Sequence, residues 1–318
     1  MSGGLRMAVF FFLAGLVVLM WGATFVTKRH ERVASGVAEL PPRSFEALSL
    51  VVLGSGGSFE NHLRWGPALA VAHGESALLL DAGRGVAEAL RAAEFPAWQP
   101  RHVFLSSLQP ENTVGLDDLW LTARLSGPAQ PLRVFGPPGT AELVRGLQSA
   151  FAAPAAAQAA DWALAPAGAG IAARELRGGE RIAVGALQLR ATAVEGGLAF
   201  RIEQGGKAIA AALAGTDRAA VVRAAAGADV LVLEAVSGES LAQAAAAGAE
   251  NIEAIEREAR KHWRLEEAGG VAAEAGARAL ALVRLRPPPV FNFQYERVVR
   301  QSFRGPVLIA ADAQVIEP

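Results

Sequence analysis

The stretch SSLQPENTVGL, Ser106 to Leu116, decides how this chain folds, because it joins two different periodicities. Before it stands RHVFL, an apolar run that reads as a buried strand, and at its end VGL opens a run with helical spacing. A strand end leading into a helix start is where α/β folds place their chemistry. This corner carries Ser107, Gln109, Glu111 and Asn112, with no histidine and no cysteine among them.

The same grammar extends to both sides. LSLVVLGSGGS (48–58) and GPALAVAHGESALLLDAGRG (66–85) predict strands cut by glycine turns, and VAEALRAAEF (86–95) predicts a helix. Beyond the corner follow a helix in VGLDDLWLTARL, a strand in PLRVF and a helix in GPPGTAELVRGLQSAF, where Thr140 is placed to cap. The alanine-rich AAPAAAQAADWALAPAGAG (152–170) reads as an irregular crossing between two halves or a low-complexity insert. RIAVGALQLRATAV and LAFRIEQGGKAIAAALAG predict antiparallel strands, with Gly205-Gly206 as a hairpin turn. ADVLVLEAV, two helical stretches between Ala247 and Glu274, RALALVRL, a helix near YERVVRQSF and strands in GPVLIAADAQVIE complete the chain. Strands first and helices after, twice over, suits two packed sheets with helices outside.

Composition narrows the chemistry. The 318 residues contain no cysteine, which removes disulfides, thiolate metal sites and cysteine nucleophiles. A formal net charge of −1 gives no nucleic-acid signal. Histidine is confined to His30, His62, His73, His102 and His262.

At the N-terminus, MAVFFFLAGLVVLMWGATFV (7–26) carries no charge, and at about 1.5 Å per helical residue it spans a bilayer core of roughly 30 Å. Residues 1–27 therefore predict an uncleaved anchor, 28–46 a polar connector and 47–318 the folded domain. A cleaved signal peptide is the rival reading. Lys28, Arg29 and Arg32 follow the span and only Arg6 precedes it, which by the positive-inside rule favours a cytoplasmic domain. An N-terminal anchor on an otherwise soluble domain more often exports it. We expect an extracytoplasmic domain, with the cytoplasmic side kept open.

Seven segments in order resemble the metallo-β-lactamase superfamily, most nearly its ribonuclease Z and arylsulfatase-like branch. They are LGSGGSFENHLRWGPALAV, LLLDAGRGV, VFLSSLQPENTVGLDDLWLT, PLRVFGPPGTAELVRGL, LAFRIEQGGKAI, GADVLVLEAV and HWRLEEAGGVAAEAGARALAL. The resemblance implies an αββα sandwich. It also implies Thr-His-x-His-x-Asp-His after the strand VFL, which would hold two zinc ions and a bridging water. Here the four ligand positions of that motif fall on Ser107, Gln109, Glu111 and Asn112. The third histidine falls on Glu195, the bridging aspartate on Ala214 (Asp217 under a gapped alignment) and the last histidine on Arg284, a permanent cation where zinc would sit.

Three family features survive under the same resemblance. Asp81 matches a supporting strand-end acid, and Glu234 with His262 matches a carboxylate–histidine pair that helps protonate a leaving group. GSGGS, Gly54 to Ser58, lacks the Lys-Ser/Thr of a phosphate loop and reads as a tight turn. No Gly-x-Ser-x-Gly elbow is present for a serine hydrolase. Oxygen donors at Gln109, Glu111, Asn112 and Glu195 suit a hard cation such as Mg²⁺ or Ca²⁺, and the charge of Arg284 opposes one. The expectation is a membrane-anchored binding or regulatory protein without zinc, acting on an unknown protein or small molecule. The alternative is an ester hydrolase with a rebuilt site using His262 and Glu234.

Overall fold

A computed structural model describes residues 3–37, 39–58, 63–125, 128, 130–162, 170–248 and 252–318. His62, in the β1–β2 connection, lies outside the described residues. The chain divides into Met1–Leu40 and Pro41–Pro318. The first unit is one helix, α1 (Gly3–Val37). Its segment Phe11–Arg29 is long and apolar enough to cross a membrane, a property that signal sequences share. The helix runs through the first ten residues of the expected connector, 28–37, because KRHERVASGV contains no proline to stop it.

The second unit begins its first strand two residues before the expected boundary. β1 (Phe45–Gly54), β2 (Ala68–Gly74) and β3 (Ser76–Leu80) form an antiparallel meander, followed by α2 (Val86–Ala92). β4 (His102–Phe104) lies parallel to β3, and the opening stretch leaves it as α3 (Pro110–Thr113) and α4 (Leu116–Ala123). The short α3 is absent from the sequence reading; Pro110 at its first turn supplies a preset φ there. β5 (Leu132–Gly136) leads into α5 (Thr140–Ala150). Gly139, not Thr140, is the residue before that helix, and the Thr140 hydroxyl instead donates to the Pro137 carbonyl at 2.6 Å. The alanine-rich segment begins as a helix, α6 (Ala152–Asp161), as the propensity of alanine favours; β6 (Ile171–Glu175) follows.

The second sheet starts with β7 (Arg181–Val184), β8 (Leu187–Val194), β9 (Gly197–Gln204) and β10 (Lys207–Ala212), all antiparallel. After α7 (Arg218–Ala225), β11 (Val230–Val236) lies parallel to β10. Then come α8 (Gly238–Ala246), α9 (Ile252–Ala259), β12 (Trp263–Arg264), α10 (Leu265–Glu274), β13 (Ala279–Arg286), α11 (Asn292–Val299) and β14 (Val307–Ile309). β15 (Val315–Ile316) returns to pair with β1 in the first sheet. The orders are β15-β1-β2-β3-β4-β5-β6 and β14-β13-β11-β10-β9-β8-β7, with β12 beside β11.

Alternation within the strands sorts the core into layers. Leu50, Val52, Leu80, Phe104, Phe200 and Val232 fill the space between the sheets. α2, α4 and α5 cover the outer face of the first sheet, packing on Leu53 and Val103, while α7, α10 and α11 cover the second over Leu231 and Leu282. This is an αββα sandwich. Its parallel strands β3, β4, β10, β11 and β13 end at one edge, which positions the site.

Candidate functional site

The edge is built around two residues in left-handed backbone conformation. Asp81 follows β3 at φ 62 and Arg284 lies in β13 at φ 50. Both are buried. Asp81 Oδ1 accepts from the Ser106 amide and Oδ2 from the Ser106 hydroxyl, each at 2.7 Å. Arg284 Nη2 donates to Asp81 Oδ2 at 2.5 Å, so an ion pair joins the first sheet to the second. The Arg284 amide donates to the Ser55 carbonyl at 2.9 Å, and Nη1 donates to the Leu213 carbonyl at 3.3 Å.

Glu234, in β11, continues the network. Its Oε2 lies 3.5 Å from Arg284 Nη1 and 3.8 Å from Arg286 Nη1, and its Oε1 lies 2.5 Å from His262 Nδ1. Arg286 Nη2 donates to the Ser58 hydroxyl at 3.1 Å, and that hydroxyl donates to Glu111 Oε1 at 3.2 Å. On α3, Asn112 Nδ2 donates to Ser107 Oγ at 2.9 Å and to Ser106 Oγ at 3.3 Å. Its backbone carbonyl accepts from the Ala82 amide at 2.8 Å, which locks the corner onto β3.

The charges settle accordingly. Burial pushes the Asp81 carboxyl above its ordinary range, against the pull of Arg284 and Ser106. Burial acts the same way on Glu234, but the hydrogen bond and charge of His262, with Arg284 and Arg286, outweigh it and hold that carboxyl below its ordinary value. Burial disfavours the Arg284 cation, and Asp81 and Glu234 more than restore it.

Ser107, Gln109, Glu111, Asn112, Glu195, Ala214, Glu234, His262 and Arg284 all line one cleft of about 370 Å³. Asp81 lies beneath its floor, fully buried. Asp217, the gapped alternative, is not among the lining residues; its carboxylate caps α7 by accepting from the Ala220 amide at 3.0 Å. Glu195 reaches the cleft because the β8–β9 turn packs on the corner, where the Leu198 amide donates to the Ser106 carbonyl at 2.8 Å. A Cβ on Gly197 would lie 2.0 Å from that carbonyl oxygen, so only glycine permits the approach. Reading the sequence missed Ser58, Ser106, Arg260, Lys261 and Arg286. Arg286 had a signal: LALVRLR is a buried strand with two arginines in it, and such charges need partners.

The donor set does not fit a zinc pair. It offers a hydroxyl, two amides, exposed or half-buried carboxylates and a methyl, and a guanidinium in their midst. Among the described residues no group of three or more histidine, cysteine, aspartate or glutamate side chains is disposed to hold a metal ion.

No family model matches the chain. Ribonuclease Z of Mycobacterium bovis (strain BCG / Pasteur 1173P2) is 36% identical over 108 residues, 33% of this chain and 38% of that protein. The match thus spans well under half the length of the curated relative. The metallo-β-lactamase fold protein YhfI of Bacillus subtilis superposes with a TM-score of 0.65 at 20% identity, covering 86% of this chain and all of that one. Human tRNase Z, short form, gives 0.62 at 16% identity, over 85% of this chain and 99% of that one.

Proposed function

We propose that this chain, which has the metallo-β-lactamase fold and is similar in part to ribonuclease Z, is a binding or regulatory protein that uses neither zinc nor hydrolysis. The observation that carries the reading is Arg284. Its guanidinium lies in the cleft that the resemblance assigns to metal, held by Asp81 and Glu234. A permanent cation there repels a dication, and its two carboxylate partners are spent on it. The Glu234–His262 pair, 2.5 Å apart, serves this network as an acceptor and an orienting group. α1 supplies the membrane attachment, and the domain stands outside the cytoplasm.

The test is made on the full chain purified in detergent. Elemental analysis is expected to find no stoichiometric zinc, and bis-p-nitrophenyl phosphate is expected to turn over at the uncatalysed rate. Stoichiometric zinc together with turnover abolished by a chelator would sink the proposal in favour of a rebuilt hydrolase. Arg284→His is expected to restore no zinc binding, because the surrounding positions still lack imidazoles; tight zinc binding by that variant would show that the other ligand positions are misassigned.

A further inference from the structure

The cleft has two unlike ends above a floor whose charges are already matched. Asp81 and Glu234 meet Arg284 and Arg286 in that floor, so little net field from it reaches a ligand. The cleft shares Ser107, Gln109 and Gly196 with a hollow of about 510 Å³, and Thr216, Arg260 and His262 with another of about 620 Å³. Those two hollows have no lining residue in common, so they open from different ends. The first end carries an acceptor, the Glu195 carboxylate, beside Gly196 on the β8–β9 turn. The second carries the Arg260 guanidinium, on the connection from α9 to β12, which lines both the cleft and the larger hollow.

We propose that this cleft binds a small zwitterion, a molecule with an ammonium group and a carboxylate or phosphate a few bonds apart. The inference rests on the metal-free reading above. A simple anion gains at Arg260 and loses at Glu195; a simple cation meets the converse. Only a dipolar ligand is complementary to both ends. The volume, about 370 Å³, is at the small end of the roughly 300–1,000 Å³ usual for small-molecule sites. Ala214 and Gly215, which line neither hollow, contribute little or no side chain to the cleft and leave room for the body of such a molecule.

The full chain in detergent is titrated calorimetrically with the free amino acids and with phosphoethanolamine, each beside its N-acetylated form, and the amino acids also beside their carboxamides. At least one zwitterion is expected to saturate one site, with both singly charged derivatives binding at least tenfold more weakly. A preference for phosphoethanolamine identifies the anion as phosphate; a preference for an amino acid identifies it as carboxylate. Glu195→Gln and Arg260→Gln are each expected to weaken the zwitterion at least tenfold with the unfolding midpoint unchanged, since both side chains are exposed. Equal affinity for blocked forms, or no saturable binding by any probe, overturns the inference. Metal content measured on the same sample separates the two failures: zinc-free protein without zwitterion selectivity overturns only this inference, whereas zinc with chelator-sensitive turnover overturns the reading on which it rests.

Discussion

Asp81 and Arg284 each hold a backbone conformation that residues with a Cβ seldom take, and such residues gather at sites where the surroundings over-determine them. Here the surroundings are one another. Removing the guanidinium leaves two carboxylates buried without it, so Arg284→Met is expected to cost about 3–5 kcal/mol of stability in denaturant unfolding. Asp81→Asn added to that variant removes one of the stranded charges and is expected to recover part of the loss, a coupling that independent sites would not show. A recovery of nothing would mean that Asp81 and Arg284 act separately. Glu234 gives a pH dependence of definite sign. Its folded carboxyl titrates below the ordinary 4.5, so the stability it contributes is present above that value and is lost as pH falls through the lower folded one. Asp81, raised by burial, works in the opposite sense and loses its contribution as pH rises. Glu234→Gln removes the first effect and keeps the second. The unfolding midpoint followed from about pH 6 to pH 3 is therefore expected to fall less steeply in the variant than in the parent; parallel curves would refute the assignment. At this scale, Ser107, Gln109, Glu111 and Asn112 were legible because the strand and helix around them fixed their places. Arg286 and Ser58 were not, since their meeting depends on how two sheets pack, which no local pattern encodes.

The elements around the site hold it through close backbone approach. The β8–β9 turn carries Glu195 to the cleft only because Gly197 rests on the Ser106 carbonyl. Gly197→Ala forces the turn off the corner and is expected to destabilise by about 1–3 kcal/mol, as overpacking does. Gly206→Ala sits in an open hairpin turn at φ 78 and meets nothing within 4 Å, so it bears only the left-handed penalty of about 1–2 kcal/mol and is expected to leave the cleft's ligand affinity unchanged. A Gly197→Ala variant that kept both stability and affinity would show that the turn does not position Glu195. Strand runs and glycine turns in this region were readable from alternation and from Gly205-Gly206. Short or contextual elements were not: α3 spans Pro110–Thr113, too few residues for a period, and the alanine-rich segment has helical propensity but little amphipathic contrast.

Across the whole molecule, the order of strands and helices was legible because each of the two halves repeats a strong pattern, and the three apolar layers follow from alternation. The extent of α1 was not, because residues 28–37, though largely polar, contain no proline and the helix passes through them. The fate of that helix decides where the cleft operates. Phe11–Arg29 is long enough to span, and its large apolar side chains, Trp21 among them, are exposed, which favours a nonpolar solvent around it. The apolar segment is therefore expected to remain in the chain isolated from its native cell, by intact mass, with the protein resisting alkaline carbonate extraction from membranes. A mature chain beginning after the apolar segment and released by carbonate would make the segment a signal peptide. The position of the domain follows from a reporter fused after Pro318: activity of a reporter that works only outside the cytoplasm is expected, and activity of a cytoplasm-only reporter would mean that Lys28, Arg29 and Arg32 hold the domain inside by the positive-inside rule.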